Sequence, residues 1–130
     1  MLIDTSGLFC LFNQADDQHD KAESFFLLAT RRLTHSYVLA EFVPLCQVRG
    51  LKRLDTLEFL ADLTDNPLVE MVWVNESLHR AAQAYLERRL DKRYSLCDAI
   101  SFLLMQDYGI AEALTTDHHF EQAGFQRLLR

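Results

Sequence analysis

The sequence predicts an α/β fold in which a mostly parallel central sheet is covered by helices on both faces. Two observations predict it. Short apolar runs of strand length alternate along the chain with longer segments whose apolar residues recur at helical spacing. The 130 residues, 49% of them hydrophobic, match one compact domain spanning residues 1–130 with a sizeable core. Strands alternating with helices imply right-handed crossovers between parallel neighbours.

The run from Met1 to Asp4 reads as the first strand, and Thr5-Ser6-Gly7 supplies capping and turn chemistry before a helix through Leu8-Phe9-Cys10-Leu11-Phe12. Asp16 and Asp17 place negative charge at the start of a second helix running through Ala22, Phe25, Phe26 and Ala29. Leu33-Thr34-His35-Ser36 is the second strand. A helix from about Tyr37 to Arg49 follows, stopped by Gly50, with Glu41 in its first turns. Pro44 cannot donate to the carbonyl at position 40, which predicts either a bend one turn past Glu41 or a later helix start. Leu54, Leu57, Leu60, Ala61 and Leu63 define the next helix, which Asn66-Pro67 ends. A third strand covers Val69 to Val74. Asn75 then caps a helix from Glu76 to about Leu90, with Leu78, Ala82, Tyr85 and Leu86 on one face. The helix from about Ser95 to Tyr108 ends at Gly109. Ile110 to Leu114 leads a strand into Thr115-Thr116-Asp117, and Phe125 to Leu129 is a last strand.

Thirteen basic residues against 19 acidic ones give a net charge of −6, which argues against a non-specific nucleic-acid coat or an anionic membrane partner. It does not exclude a nuclease whose carboxylates are offset by a bound cation. Cys10, Cys46 and Cys97 are an odd number without C-x-x-C spacing, so neither a disulfide framework nor a zinc site is expected, and a reducing cytoplasm fits best. Cys97 abuts Asp98 but reads as an inert buried thiol. No stretch reaches the ~20 apolar residues that span a bilayer.

Asp4, Glu41, Asp98 and Asp117 each stand at the edge of an apolar segment rather than on an open polar face. Unpaired buried carboxylates are costly, so such residues are generally paired, neutralised or bound to a cation. Asp4 and Asp117 follow strands, and Glu41 and Asp98 lie near helix starts, so all four can converge at the carboxyl edge of the sheet, where open α/β sheets bind ligands. Carboxylates without thiolate or histidine partners select Mg²⁺ or Mn²⁺, and Mg²⁺ commonly adds phosphate oxygens to its coordination. A phosphate ester is therefore the expected substrate. Taken singly, any of the four acids is as well explained as a helix cap or a surface ion-pair partner. His118 and His119 point in different directions if helical and lack a third histidine, which predicts solvation rather than metal binding. His19 is expected to order its loop. Arg88, Arg89, Lys92 and Arg93 form the only dense basic cluster, readable as an RNA track or as cations complementing a helix C-terminus.

In their order and spacing, Leu2-Ile3-Asp4-Thr5-Ser6, Ala40-Glu41, Tyr94-Ser95-Leu96-Cys97-Asp98-Ala99-Ile100-Ser101, Leu114-Thr115-Thr116-Asp117-His118-His119-Phe120 and Ala123-Gly124-Phe125 resemble the PIN-domain ribonucleases. The closest likeness is to the VapC-type toxins of bacterial toxin-antitoxin pairs, and it runs almost end to end. The resemblance implies a three-layer α/β/α sandwich and an Mg²⁺- or Mn²⁺-dependent endoribonuclease. It also implies that Asp4, Glu41, Asp98 and Asp117 form the metal-binding quartet, with Ser6 and Thr115 as hydroxyl helpers. Asp4 and Asp98 are the direct ligands in this reading. Glu41 positions or deprotonates water, and Asp117 holds a second metal or acts through water. An RNA substrate, a cognate antitoxin and a homodimer follow from the same likeness, with Leu51 to Leu63 as apolar area for either protein partner or, equally, for the internal core. A free-standing RNA-processing nuclease would carry the same quartet, and a non-catalytic binding module is the rival of a different class. Dinucleotide binding and P-loop chemistry lack their motifs, and a receiver domain lacks its late lysine, since the lysines are Lys21, Lys52 and Lys92.

Overall fold

The computed structural model covers residues 1–130. Its elements run β1 (Leu2–Ile3), α1 (Thr5–Phe12), α2 (His19–Leu28), β2 (Leu33–His35), α3 (Ser36–Val48), α4 (Arg53–Asp65), β3 (Glu70–Val72), α5 (Glu76–Glu87), α6 (Leu96–Tyr108), β4 (Glu112–Leu114), α7 (His119–Gln122) and β5 (Gln126–Arg127). The five strands lie in the order β3-β2-β1-β4-β5, and every pairing is parallel. The order reverses direction at β1 and β4, which makes their carboxyl ends the topological switch point.

Alternation of side chains along such short strands sends neighbours to opposite layers. Ile3 and Leu114 pack with α1 to α4 around Leu8, Phe42 and Cys46, whereas Leu2, Leu33 and Ala113 pack with α5 to α7 around Ile100, Phe102 and Phe120. The expected α/β/α sandwich is therefore present, with one apolar core on each face of the sheet. Phe42, Phe102 and Phe120 are fully buried, and each contributes about 3 kcal/mol from apolar area removed from water. All three cysteines are free and buried. No helix is long and apolar enough to cross a membrane.

Local chemistry explains most boundaries. The Asn75 side chain accepts from the Leu78 amide at 2.8 Å and starts α5. Gly109 ends α6 in the left-handed conformation, φ 66°, which costs glycine little. α3 runs unbroken from Ser36 through Pro44, so the later start is excluded. Other boundaries differ from expectation. α2 begins at His19 rather than at the two aspartates, because Asp16 Oδ1 accepts the Gln18 amide at 2.8 Å and holds a turn there. His19 Nδ1 donates to the Cys10 carbonyl at 2.8 Å, ordering this loop as expected. α5 stops at Glu87; beyond it Arg89 stacks on the Tyr85 ring and donates to the Tyr85 carbonyl at 3.1 Å. The short helix α7 was not foreseen as an element. In α4, Leu63 is buried while Leu54 and Leu57 face solvent, so the segment divides between core and surface.

Gly7 has a role beyond turn chemistry. A Cβ built on it would overlap the backbone carbonyl of Leu114, so only glycine lets α1 lie directly against the end of β4. Gly7→Ala is expected to destabilise the protein by about 3 kcal/mol or more, because the clash is with backbone and neither element can yield without moving the switch point. Urea unfolding of the two proteins measures the difference; a loss below about 0.5 kcal/mol would show that this packing is not required.

Candidate functional site

Asp4 sits where β1 becomes α1. Its amide donates to the Leu114 carbonyl at 3.2 Å, extending the β1–β4 ladder, and its carbonyl accepts from Leu8 at 2.8 Å to begin the helix. The residue is the N-cap of α1, yet its side chain makes no capping bond. The carboxylate turns instead into the carboxyl edge of the sheet and is only 5% exposed. Thr115 Oγ1 donates to Asp4 Oδ2 at 2.9 Å. Thr115 Oγ1 itself receives the Asp117 amide at 3.0 Å. Ser6 Oγ lies 3.1 Å from Thr115 Oγ1 and accepts the Thr116 amide at 3.0 Å. Because the Thr115 proton goes to Asp4, Ser6 must donate to Thr115, and the chain of hydroxyls is polarised toward the Asp4 carboxylate.

Glu41 is exposed on the first turns of α3, and its Oε1 accepts from Thr5 Oγ1 at 2.7 Å. Asp98 is buried at the start of α6 in a capping box: Ser95 Oγ accepts the Asp98 amide at 2.9 Å, and Asp98 Oδ2 accepts the Ser95 amide at 3.0 Å. The capping reading of Asp98 thus holds for one oxygen, and Oδ1 carries no hydrogen bond. Asp117 is half-buried; its Oδ1 accepts the His119 amide at 2.9 Å and closes the turn into α7. Cys97 faces the same acids. Burial, then the Glu41 and Asp4 charges, push its thiol pKa far up, which keeps it protonated and inert.

His119 departs from the sequence reading. Its Nδ1 reaches Asp98 Oδ2 at 3.1 Å and lies 3.4 Å from Asp117 Oδ2, so it bridges two of the four acids rather than facing solvent. Its ring meets the Tyr94 ring edge-on at 5.4 Å. The signal was present in Asp117-His118-His119: the Asp117 side chain accepts the His119 amide, which sets His119 at the first position of α7 with its ring turned toward Asp117. His118 is exposed as expected. Thr5, read from sequence only as capping chemistry, is the second residue whose site role was missed. Of the basic cluster, Arg89 is held by Tyr85 and Lys92 lies 3.9 Å from Asp91, which leaves Arg88 and Arg93 without such partners.

No lysine or arginine pairs with Asp4, Glu41, Asp98 or Asp117; the only basic neighbours are the two histidines. The electrostatic result is uncompensated charge. Burial chiefly pushes the Asp4 pKa up to about 7, the Thr115 hydroxyl and Thr5 amide hold it down, and the Asp98 and Glu41 charges raise it further. Asp98 is raised by burial and by Asp117, against the Ser95 amide and His119. Buried oxygen donors that lack a cationic side chain fit a hard divalent cation. The ligand atoms of Asp117, His118 and His119 also lie within 4.8 Å of one another, but His119 Nδ1 is already engaged by Asp98.

The raised Asp4 pKa has a stability consequence. The native state keeps the Asp4 proton up to about pH 7, whereas an unfolded aspartate releases it near 3.9. The native state binds more protons between these values, so this stabilisation is full at low pH and is lost as pH rises through about 7. In EDTA, wild-type protein is expected to lose up to about 4 kcal/mol relative to Asp4→Asn between about pH 4 and pH 8. Urea unfolding across that range measures it; parallel curves for the two proteins would refute the shift.

Comparison with known proteins places this geometry. Residues 1–126 match the PIN domain. The 23S rRNA-specific endonuclease VapC20 of Mycobacterium tuberculosis, from two strains, is 30% identical over 128 residues, covering 96% of this chain and 95% of the relative. The crystal structure of Mycobacterium tuberculosis VapC20, described as a Sarcin-Ricin loop cleaving toxin, superposes with a TM-score of 0.85 at 28% identity and covers 95% of each chain. With a five-stranded parallel sheet and its acids at the switch point, the chain belongs to the PIN domain family.

Proposed function

We propose that this protein is a divalent-metal-dependent endoribonuclease and the toxin of a toxin-antitoxin pair. The observation that carries the reading is the cluster of four carboxylates, Asp4 and Asp98 buried among them, with no lysine or arginine partner at the switch point of a PIN fold. Its likeness to VapC20, an endonuclease specific for 23S rRNA, makes RNA the substrate and structured ribosomal RNA the first one to test.

In this reading Asp4 and Asp98 hold Mg²⁺ or Mn²⁺ directly, and Asp117 holds a second ion or reaches the first through water. When bound, the ion supplies Lewis-acid activation of the attacking water and stabilises charge on the phosphoryl oxygens. Ser6 and Thr115 fix the Asp4 carboxylate. His119 and the Ser95 amide both engage Asp98 Oδ2, leaving Oδ1 available. Thr5 holds Glu41 Oε1, so Oε2 is free to orient the water and accept its proton. Water oxygen adds to phosphorus, the P–O3′ bond breaks, the departing 3′-oxygen takes up a proton, and the products are a 5′-phosphate and a 3′-hydroxyl.

The antitoxin and a homodimer are proposed from the likeness to a VapC toxin. A groove of about 320 Å³ between α2 and α4, walled by Leu11, Phe26, Leu27, Phe59 and Leu63, supports a helical antitoxin segment. The outward Leu54 and Leu57 add apolar area for either partner. Such a toxin acts in the cytoplasm, where its RNA is.

Purified protein is expected to cut a mixed RNA pool into discrete products in Mg²⁺ or Mn²⁺ and not in EDTA, with Asp4→Asn and Asp98→Asn each slowing cleavage at least about a hundredfold. Undiminished cutting by both variants would remove the carboxylates from the mechanism. His119→Ala is expected to weaken Mn²⁺ binding about 10- to 100-fold by releasing Asp98, and calorimetric titration reads this without turnover. Wild-type Mn²⁺ affinity falls as pH drops through about 7, since Asp4 must lose its proton to bind; affinity flat across that range would contradict the role of Asp4.

A further inference from the structure

An open cleft of about 410 Å³ lies beside the carboxylate site, bordered by α1, the turn before α2, the end of α3, the segment after β4 and the C-terminal Arg130. We propose that it binds the nucleotide adjoining the cleaved phosphodiester and disfavours uracil there. The inference rests on the ribonuclease reading and names a specificity subsite for it.

Continuity with the site is the first argument. Ser6 and Thr116 line the cavity. The Thr116 amide donates to Ser6 Oγ, Ser6 to Thr115, and Thr115 to Asp4 Oδ2. The cavity wall is therefore two hydrogen bonds from the Asp4 carboxylate, so a strand whose phosphate lies at Asp4 has an adjoining nucleotide in reach of the cavity. The volume falls within the roughly 300–1,000 Å³ of small-ligand sites.

The second argument is Arg49. Its guanidinium is placed over the Phe9 ring at 5.0 Å, and it has no carboxylate partner even though Asp16 and Asp17 line the same cavity. A planar fork of donors that is pre-placed and unpaired suits a phosphate, in a chain whose catalytic acids otherwise repel one. The two aspartates supply the base preference. Asp16 Oδ1 holds the Gln18 amide, and the Asp17 carboxylate has no internal partner. Ionised carboxylates only accept hydrogen bonds. Guanine, adenine and cytosine present amino donors to them, whereas uracil presents two carbonyls around a single N–H and is repelled.

Binding and cleavage separate the two claims. In the cleavage-deficient Asp4→Asn background, adding Arg49→Gln is expected to weaken binding of a labelled single-stranded RNA on the order of tenfold and to reduce the slope of log affinity against log salt by about 0.7. Circular dichroism confirms that the double variant folds. In the cleavage profile of a random RNA pool, uracil is depleted at one position next to the cut, and Asp17→Asn, which adds amide donors, restores it. Arg49-dependent binding without cleavage by wild-type protein would sink the nuclease reading and keep the subsite. Cleavage with an unchanged affinity, salt slope and base profile would overturn the subsite alone and leave the cavity to a protein segment.

Discussion

Uncompensated negative charge at Asp4 is the constraint around which the rest of the structure is arranged. A guanidinium or ammonium beside it would neutralise the charge and fill its lone pairs, leaving nothing for a cation. Neutral donors are used instead: the Thr115 hydroxyl on Asp4, the Thr5 hydroxyl on Glu41, the Ser95 amide on Asp98. Each holds a carboxylate in position while leaving its charge in place. The donors to Asp4 and Glu41 come from residues far apart in sequence, so the fold must be complete before the site exists.

The parallel sheet supplies that closure. β1 and β4 are neighbours only because the chain reverses its winding direction between them, and the Asp4 amide continues their ladder to Leu114. Gly7 then allows α1 to rest on the same carbonyl group. The segment after β4 is held from three sides, by the Ser6 hydroxyl on the Thr116 amide, by Arg127 Nη1 donating to the Thr116 carbonyl at 3.1 Å, and by Thr115. Asp117 thus inherits its position from α1, β4 and β5 together, although it belongs to none of them.

Features governed by local chemistry were legible in the sequence. Asn75, Gly109 and the apolar spacing of the helices act within a few residues, and the structure agrees at each. The placement of the four acids at strand and helix ends was legible for the same reason, since their neighbours announce where elements stop. What escaped was set by side-chain contacts, some within a few residues and some across the fold. Asp16 was assigned to a helix start by its charge, yet its side chain closes a turn first. His119 reads as solvated because no third histidine joins it, and its partner Asp98 is 21 residues away. Arg89 looked free because Tyr85, which holds it, was counted only as core. The cavity at Arg49 joins α1, α3 and the segment after β4, and no window of sequence contains all three.

The hydroxyl chain also decides how protons and cations compete. Thr115 Oγ1 receives the Asp117 amide and the Ser6 hydroxyl, which occupy both of its lone pairs, so its own proton has only Asp4 Oδ2 to go to. Asp4 Oδ2 is consequently an acceptor whatever the protonation state of the residue. A proton bound at Asp4 must take the remaining lone pairs, the same ones that a divalent ion needs. Burial strengthens both claims at once, because either ligand relieves the charge. The proton wins when the pH lies below the raised pKa of about 7, and the ion gains as the pH rises through it. The polarity of two hydroxyls thus turns a buried aspartate into a site where losing a proton and gaining a cation are one event.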